Sequence, residues 1–106
     1  REALAAGARF ILILGGSGFG VGNYAPEVVR SIIEVEIPGI AEQIRAHGLA
    51  NTPLSGLSRE VVGVTARDSS GALIISSPGS RGGALDTLEV VTPLLTAIFH
   101  QLDEQR

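Results

Sequence analysis

Two glycine-rich segments carry the residue types that could bind a phosphate. The first glycine segment, residues 15–18 (Gly-Gly-Ser-Gly), follows an apolar run, and the second glycine segment spans residues 77–83 (Ser-Pro-Gly-Ser-Arg-Gly-Gly). Consecutive glycines allow backbone N–H groups to converge on an anion, and a serine hydroxyl adds another donor. Alone, the first segment is explained equally well as a tight turn between a strand and a helix. The second segment of the same kind favours a ligand-binding role.

Familiar phosphate and hydrolase motifs are excluded at both segments. The chain has no lysine, which a P-loop requires, and no three glycines have the spacing of a dinucleotide fingerprint. The serine-hydrolase elbow has the pattern Gly-x-Ser-x-Gly. Neither serine fits it, because Phe19 stands two residues after Ser17 and Pro78 stands two residues before Ser80. Backbone N–H groups therefore remain as the predicted phosphate ligands.

The side chains that could assist this binding are few. A bound phosphate in a lysine-free protein needs arginine, N–H groups or a metal ion to offset its charge, and Arg59 and Arg81 are the nearest candidates. Cysteine is absent, and His47 and His100 are two isolated imidazoles that do not make a metal site. We therefore predict no metal ligands in the chain.

Composition narrows the class of protein further. A chain of 106 residues with 44% hydrophobic residues is long enough for one domain, and its net charge of −3 with scattered arginines argues against nucleic-acid binding. No run of about 18 apolar residues and no signal-peptide pattern is visible. We expect a cytoplasmic protein without nucleic-acid or membrane partners.

The periodicity predicts an α/β fold. The run 10–14 reads as a central strand, Pro26 and Pro38 begin helices, and Thr52-Pro53 starts a short one. Runs 61–67 and 72–76 predict a β-hairpin, and one long helix should follow the second glycine segment. A helix tail is also expected at residues 1–8. We predict a three-layer sandwich with a mostly parallel sheet, an antiparallel hairpin, and helices on both faces.

Both glycine segments leave a strand and enter a helix in this scheme. They should therefore meet at the carboxyl edge of the sheet, where open α/β sheets bind ligands. The chain as a whole resembles the molybdopterin-binding domain family, which includes molybdopterin adenylyltransferases, the related B-type proteins and the gephyrin G domain. The segments that carry this resemblance are residues 12–19, 25–27, 35–42, 57–59 and 77–80.

The resemblance implies a domain that assembles as a trimer or hexamer and binds molybdopterin with ATP and Mg²⁺. The family reaction transfers AMP to the terminal phosphate of molybdopterin and releases pyrophosphate, a step that depends mainly on positioning and charge neutralisation. The positions that match the family's ligand-binding residues are Gly15, Gly16, Ser17, Gly18, Glu27, Ser58, Arg59, Pro78, Gly79 and Ser80.

Departures from the family pattern fall at the catalytic positions. Asn23 stands where active family members carry a catalytic Asp, and an amide lacks the charge that would hold Mg²⁺. We therefore expect a molybdenum cofactor biosynthesis protein that binds molybdopterin or an adenine nucleotide, with weak or absent adenylyl transfer. The alternatives are a non-catalytic oligomeric binding or scaffold protein of the same fold, and an α/β domain without a ligand.

Residues 1–106 are expected to form a single domain of this family. The family domain normally opens with a strand, a helix and another strand that would precede the first residue here. We therefore expect either a truncated chain or further residues outside this numbering, since the sheet would otherwise expose an unpaired edge.

Overall fold

A computed structural model of the chain describes residues 7–104, in which strands and helices alternate as the periodicity predicts. The helix expected at residues 1–8 lies almost entirely outside the described residues. The elements in chain order are β1 (Phe10–Leu14), α1 (Ala25–Ile32), β2 (Val35–Glu36), α2 (Pro38–Gly48), a 3₁₀ helix (Pro53–Leu57), β3 (Val62–Val64), β4 (Leu73–Ser77), α3 (Arg81–Val91), a second 3₁₀ helix (Thr92–Leu94) and α4 (Leu95–Asp103).

The four strands form one mixed sheet in the order β1-β4-β3-β2. β1 and β4 are parallel, whereas β4 with β3 and β3 with β2 are antiparallel. The hairpin predicted between 61–67 and 72–76 is confirmed as β3 and β4. The expected mostly parallel sheet is wrong for the described residues, because the hairpin and the short β2 add two antiparallel pairs to the one parallel pair.

β1 lies at one edge of this sheet and not at its centre. The apolar run of β1 indicates that both faces of the strand are covered. It does not indicate whether the strand pairs with other strands along one edge or along both. β1 forms its parallel ladder with β4 alone among the described strands, and Leu14 pairs with Ser77 at its end. The position of the central strand was therefore predicted wrongly.

The apolar side chains of β4 alternate between two core clusters. Ile74 packs with Val29 of α1 and with Val61, while Leu73 and Ile75 pack in the other cluster. That second cluster contains residues of α2, α3 and α4: Ile40, Ala41, Ile44, Val91 and Leu102. In α1 the two adjacent valines differ, because Val28 is 47% exposed while Val29 is fully buried.

The final helical region is divided, although a single helix was predicted. Pro93 lies in the 3₁₀ helix between α3 and α4 and cannot donate a backbone hydrogen bond. The whole segment Arg81–Asp103 is long and apolar enough to cross a membrane by length and composition, contrary to the expectation of no such stretch. One such segment is weak evidence for a membrane span; 17% of its apolar window is buried, and Val91 and Leu102 of the segment lie in the core.

Candidate functional site

The parallel pairing of β1 and β4 brings the two glycine segments into contact, as predicted. The Gly15 N–H donates to the Ser77 carbonyl at 2.9 Å. A Cβ atom on Gly79 would lie only 3.0 Å from the Cα of Gly15, so only glycine lets the two backbones approach this closely. Gly15 and Gly16 have φ values of 88° and 70°, in the left-handed region that favours glycine.

The first glycine segment keeps unused donors. Its Gly15 and Gly18 N–H groups are bonded within the protein, the second to Asn23 Oδ1 at 3.3 Å. Within residues 7–104, the N–H groups of Gly16 and Ser17 and the Ser17 hydroxyl have no protein hydrogen-bond acceptor. Ser17 also lines a cavity that is described below. The segment can therefore offer two N–H groups and one O–H group to an anion.

Arg59 holds this segment in place. Its Nε donates to the Gly18 carbonyl at 2.7 Å, and Nη2 donates to the Asn23 carbonyl at 2.7 Å. The guanidinium also binds both carboxylate oxygens of Glu27, at 2.7 and 3.1 Å, and the Arg59 N–H donates to the Ser17 carbonyl. The hydrogen bonds between these two side chains lower the pKa of the Glu27 carboxyl and raise the pKa of the Arg59 guanidinium. Both residues match predicted ligand positions, yet they bind each other.

Asn23 closes the loop that follows the glycine segment. Its Oδ1 accepts from the Gly18 N–H, and its Nδ2 donates to the Gly20 carbonyl at 3.3 Å. Asn23 is not part of the cavity wall in the described structure. Both ends of its amide are therefore engaged in loop structure, and an Asp at this position would keep the acceptor but lose the donor.

A cavity of about 400 Å³ lies beside the two glycine segments, between α2, α3 and residues 51–60. The predicted ligand residues in its wall are Ser17, Gly18, Ser58, Pro78 and Ser80, whereas Gly15, Gly16, Gly79, Glu27 and Arg59 lie outside the wall. The Ser80 hydroxyl already accepts from the Gly83 N–H at 3.1 Å as the N-cap of α3. Thus about half of the predicted site residues line one cavity, and the others shape the adjoining loops.

Several polar residues of the cavity wall were not predicted: Arg45, Asn51, Glu60 and Asp86. Glu60 is the most unusual, because only 4% of its surface is exposed. Its Oε2 accepts from the Thr87 hydroxyl at 2.9 Å, while its Oε1 is buried without a hydrogen bond. Burial raises the pKa of Glu60 to about 7. The feature of the sequence that could have indicated this burial is the position of a charged residue directly before the apolar Val61 and Val62.

Helices α2 and α3 also bring three potential metal ligands together. His47 Nε2 lies 2.6 Å from Glu89 Oε2 and 3.6 Å from Asp86 Oδ1. One ligand atom from each residue lies within 4.8 Å of the other two, so this group could hold a metal ion. This group was not predicted, because the two carboxylates are about forty positions from His47 in the sequence and only helix packing brings them near.

The fold and the cavity define an α/β domain with two glycine segments at the carboxyl ends of adjacent parallel strands. The sequence profile of the family described as "Probable molybdopterin binding domain" matches residues 1–97. The chain belongs to this family of molybdenum cofactor biosynthesis proteins, in agreement with the resemblance seen in the sequence.

Individual relatives agree with this assignment. A molybdenum cofactor biosynthesis bifunctional protein of Synechococcus elongatus is 32% identical over 90% of this chain, and a molybdopterin adenylyltransferase of Haemophilus influenzae is 34% identical over 80%. The chain spans only 28% and 41% of these two proteins. A solved structure of a putative molybdenum cofactor biosynthesis protein from Corynebacterium diphtheriae is 44% identical, with a TM-score of 0.88 over 97% of this chain and 63% of that one.

Proposed function

We propose that the chain binds molybdopterin, a phosphorylated pterin, or an adenine nucleotide in the cavity beside its two glycine segments. The observation that carries this proposal is the set of unused donors on Gly16 and Ser17, next to a cavity that Ser17 itself lines. A phosphate held there would receive two N–H donors and one hydroxyl donor. Another cavity, between β2 and α4, contains none of the predicted ligand residues and has no support of this kind.

Adenylyl transfer from ATP to molybdopterin is proposed to be weak or absent. The reaction in the family uses Mg²⁺, but the loop beside the first glycine segment has no carboxylate free to bind it. Asn23 provides an amide with both ends engaged, and the Glu27 carboxylate is bound to Arg59. The residues of this loop therefore do not fit a magnesium site, and we assign Mg²⁺ no role in binding the phosphate here.

A non-catalytic binding or scaffold protein is the second candidate function. The two hydrogen bonds of the Asn23 side chain favour it, because they show this position serving the shape of the loop. We further propose a three-layer sandwich, assembly as a trimer or hexamer, and a cytoplasmic location without nucleic-acid or membrane partners. The assembly rests on the family resemblance, the layering on the periodicity of the sequence, and the location and excluded partners on its composition.

Pyrophosphate release tests the catalytic part of the proposal. Wild-type protein with ATP, Mg²⁺ and molybdopterin should release little pyrophosphate, and Asn23→Asp should increase the rate about tenfold or more, because it restores a carboxylate at the catalytic position. Gln43→Glu, which adds the same charge on the exposed side of α2, is the matched control and should leave the rate unchanged.

Two results would contradict this proposal. Rapid release by the wild-type protein would show that catalysis does not need the Asp. No increase with folded Asn23→Asp would show that position 23 is not where the activity was lost, and it would favour the scaffold function.

A further inference from the structure

Glu60 is a carboxyl group of the cavity wall whose second oxygen has no partner. Its side chain is nearly inaccessible, and only Oε2 is bonded, to the Thr87 hydroxyl of α3. A buried acceptor without a donor costs free energy, so native proteins rarely keep one without a function. In a cavity that takes a ligand, such an oxygen is the natural partner for a ligand N–H group.

The charged groups around Glu60 do not satisfy this oxygen. Arg45 of α2 donates from Nη1 to the backbone carbonyls of Ser58 and Glu60, and not to the Glu60 carboxyl group. Asp86 of α3 accepts from the Asn51 side chain and repels the charged form of Glu60. The Oε1 atom of Glu60 therefore has no hydrogen-bond donor among the described residues.

The cavity wall offers two kinds of polar group with opposite preferences. The glycine segments offer N–H and O–H donors, which bind anions, whereas Glu60 offers an acceptor, which repels phosphate and attracts N–H groups. The pyrimidine ring of a pterin carries an amino group beside a ring N–H, and a carboxylate is the acceptor that matches such a donor pair. A phosphorylated pterin has both kinds of group in one molecule.

We propose that Glu60 is a specificity-determining residue whose free oxygen accepts an N–H group from the pyrimidine edge of the pterin while the glycine segments hold its phosphate. The inference rests on the proposed function, since it assigns the ring end of the same ligand. This contact would let the cavity bind a pterin in preference to ligands that offer a phosphate alone.

Calorimetric titration with two probes tests the inference. Molybdopterin carries both ring and phosphate, whereas inorganic pyrophosphate carries phosphate alone. Glu60→Gln should weaken molybdopterin binding about tenfold or more and leave pyrophosphate binding unchanged, because an amide oxygen lacks the charge that strengthens the hydrogen bond from a ligand N–H group to a carboxylate. Glu42→Gln, on the exposed side of α2, is the matched control and should bind both probes as the wild type does.

A pH comparison in the wild-type protein supplies a second readout that needs no variant. Because burial raises the pKa of Glu60 to about 7, its carboxyl is mostly neutral at pH 6 and mostly ionised at pH 8. Molybdopterin should therefore bind several-fold more tightly at pH 8, and Glu60→Gln should reduce this difference to the part that comes from ionisation of the ligand's own phosphate at about pH 6.

Equal molybdopterin affinity in wild type and folded Glu60→Gln, with no loss of the pH difference, would overturn the inference while leaving the proposed function intact. A wild-type protein that binds neither probe would refute molybdopterin binding as the function, and the inference with it.

Discussion

Arg59 shows how a residue can match a ligand position and still act on the protein itself. The Ser58-Arg59 pair was found from the sequence through the family resemblance. Its partners, Gly18, Asn23 and Glu27, are more than thirty positions away, and only the fold reveals that they occupy the guanidinium. Sequence reasoning could therefore locate this residue but not its role, because the role depends on contacts between distant segments.

Removing Arg59 should disturb the first glycine segment more than the rest of the fold. Arg59→Ala removes its bonds to two loop carbonyls and to Glu27, so we expect about a tenfold loss of ligand affinity. Arg59→Lys should recover little of this loss, since an ammonium group cannot reproduce the fork of donors. The control is Arg30→Ala, which removes an exposed pair with Glu36. Unchanged affinity in Arg59→Ala would contradict this role.

The raised pKa of Glu60 predicts that the protein becomes less stable as the pH rises. Its pKa is about 7 in the folded protein and near 4.5 when exposed, so the folded state binds more protons between these values. The free energy of unfolding should therefore fall as pH rises from 4.5 to 7, by up to about 3 kcal/mol. Glu60→Gln should remove this fall, and urea unfolding at pH 5 and pH 8 measures it. A wild-type stability that does not fall over this range would contradict the raised pKa.

At the scale of elements, local patterns predicted most of the fold. Helix α2 was predicted from Pro38, which begins it, and this signal lies within the helix itself. The edge position of β1 was missed because strand order depends on pairing between distant segments. Pro93 is a local signal for the break between α3 and α4. The prediction of one long helix followed the apolar periodicity instead. The cavity wall was predicted at the glycine segments and at Ser58, whereas Arg45 of α2, Asp86 of α3 and the loop residues Asn51 and Glu60 were not predicted.

The contact between the two glycine segments makes a prediction about Gly79. Gly79→Ala places a Cβ 3.0 Å from Gly15 Cα, so one backbone must move. We expect a loss of about 1 kcal/mol or more in the free energy of unfolding, with weaker ligand binding. Gly39→Ala, in the first turn of α2 where a Cβ meets nothing within 4 Å, should be neutral or stabilising by about 0.5 kcal/mol. Equal stability of the two variants would show that the segments are not closely packed.

At the scale of the whole molecule, several large apolar side chains remain exposed on this chain. Phe19 is 72% exposed and Tyr24 is 62% exposed, both in the loop that follows the first glycine segment. Large exposed apolar groups are found on surfaces that are covered in an assembly. This agrees with the proposed trimer or hexamer, which the sequence could suggest only through the family resemblance.

Sedimentation measures the assembly directly. The chain has a mass of 10.9 kDa, and we expect particles of three or six times this mass at micromolar concentration. A species that stays at the mass of a single chain over the whole concentration range would contradict the proposed assembly.

The central claim is that the glycine segments hold the phosphate of a pterin beside the cavity, and amide NMR tests it most directly. Titration of ¹⁵N-labelled protein with molybdopterin should shift the N–H signals of Gly16 and Ser17 most strongly, because these groups have no protein acceptor in the described structure. The signal of Gly39, which does not line the cavity, should not move. Saturable binding that leaves the Gly16 and Ser17 signals unchanged would contradict the account.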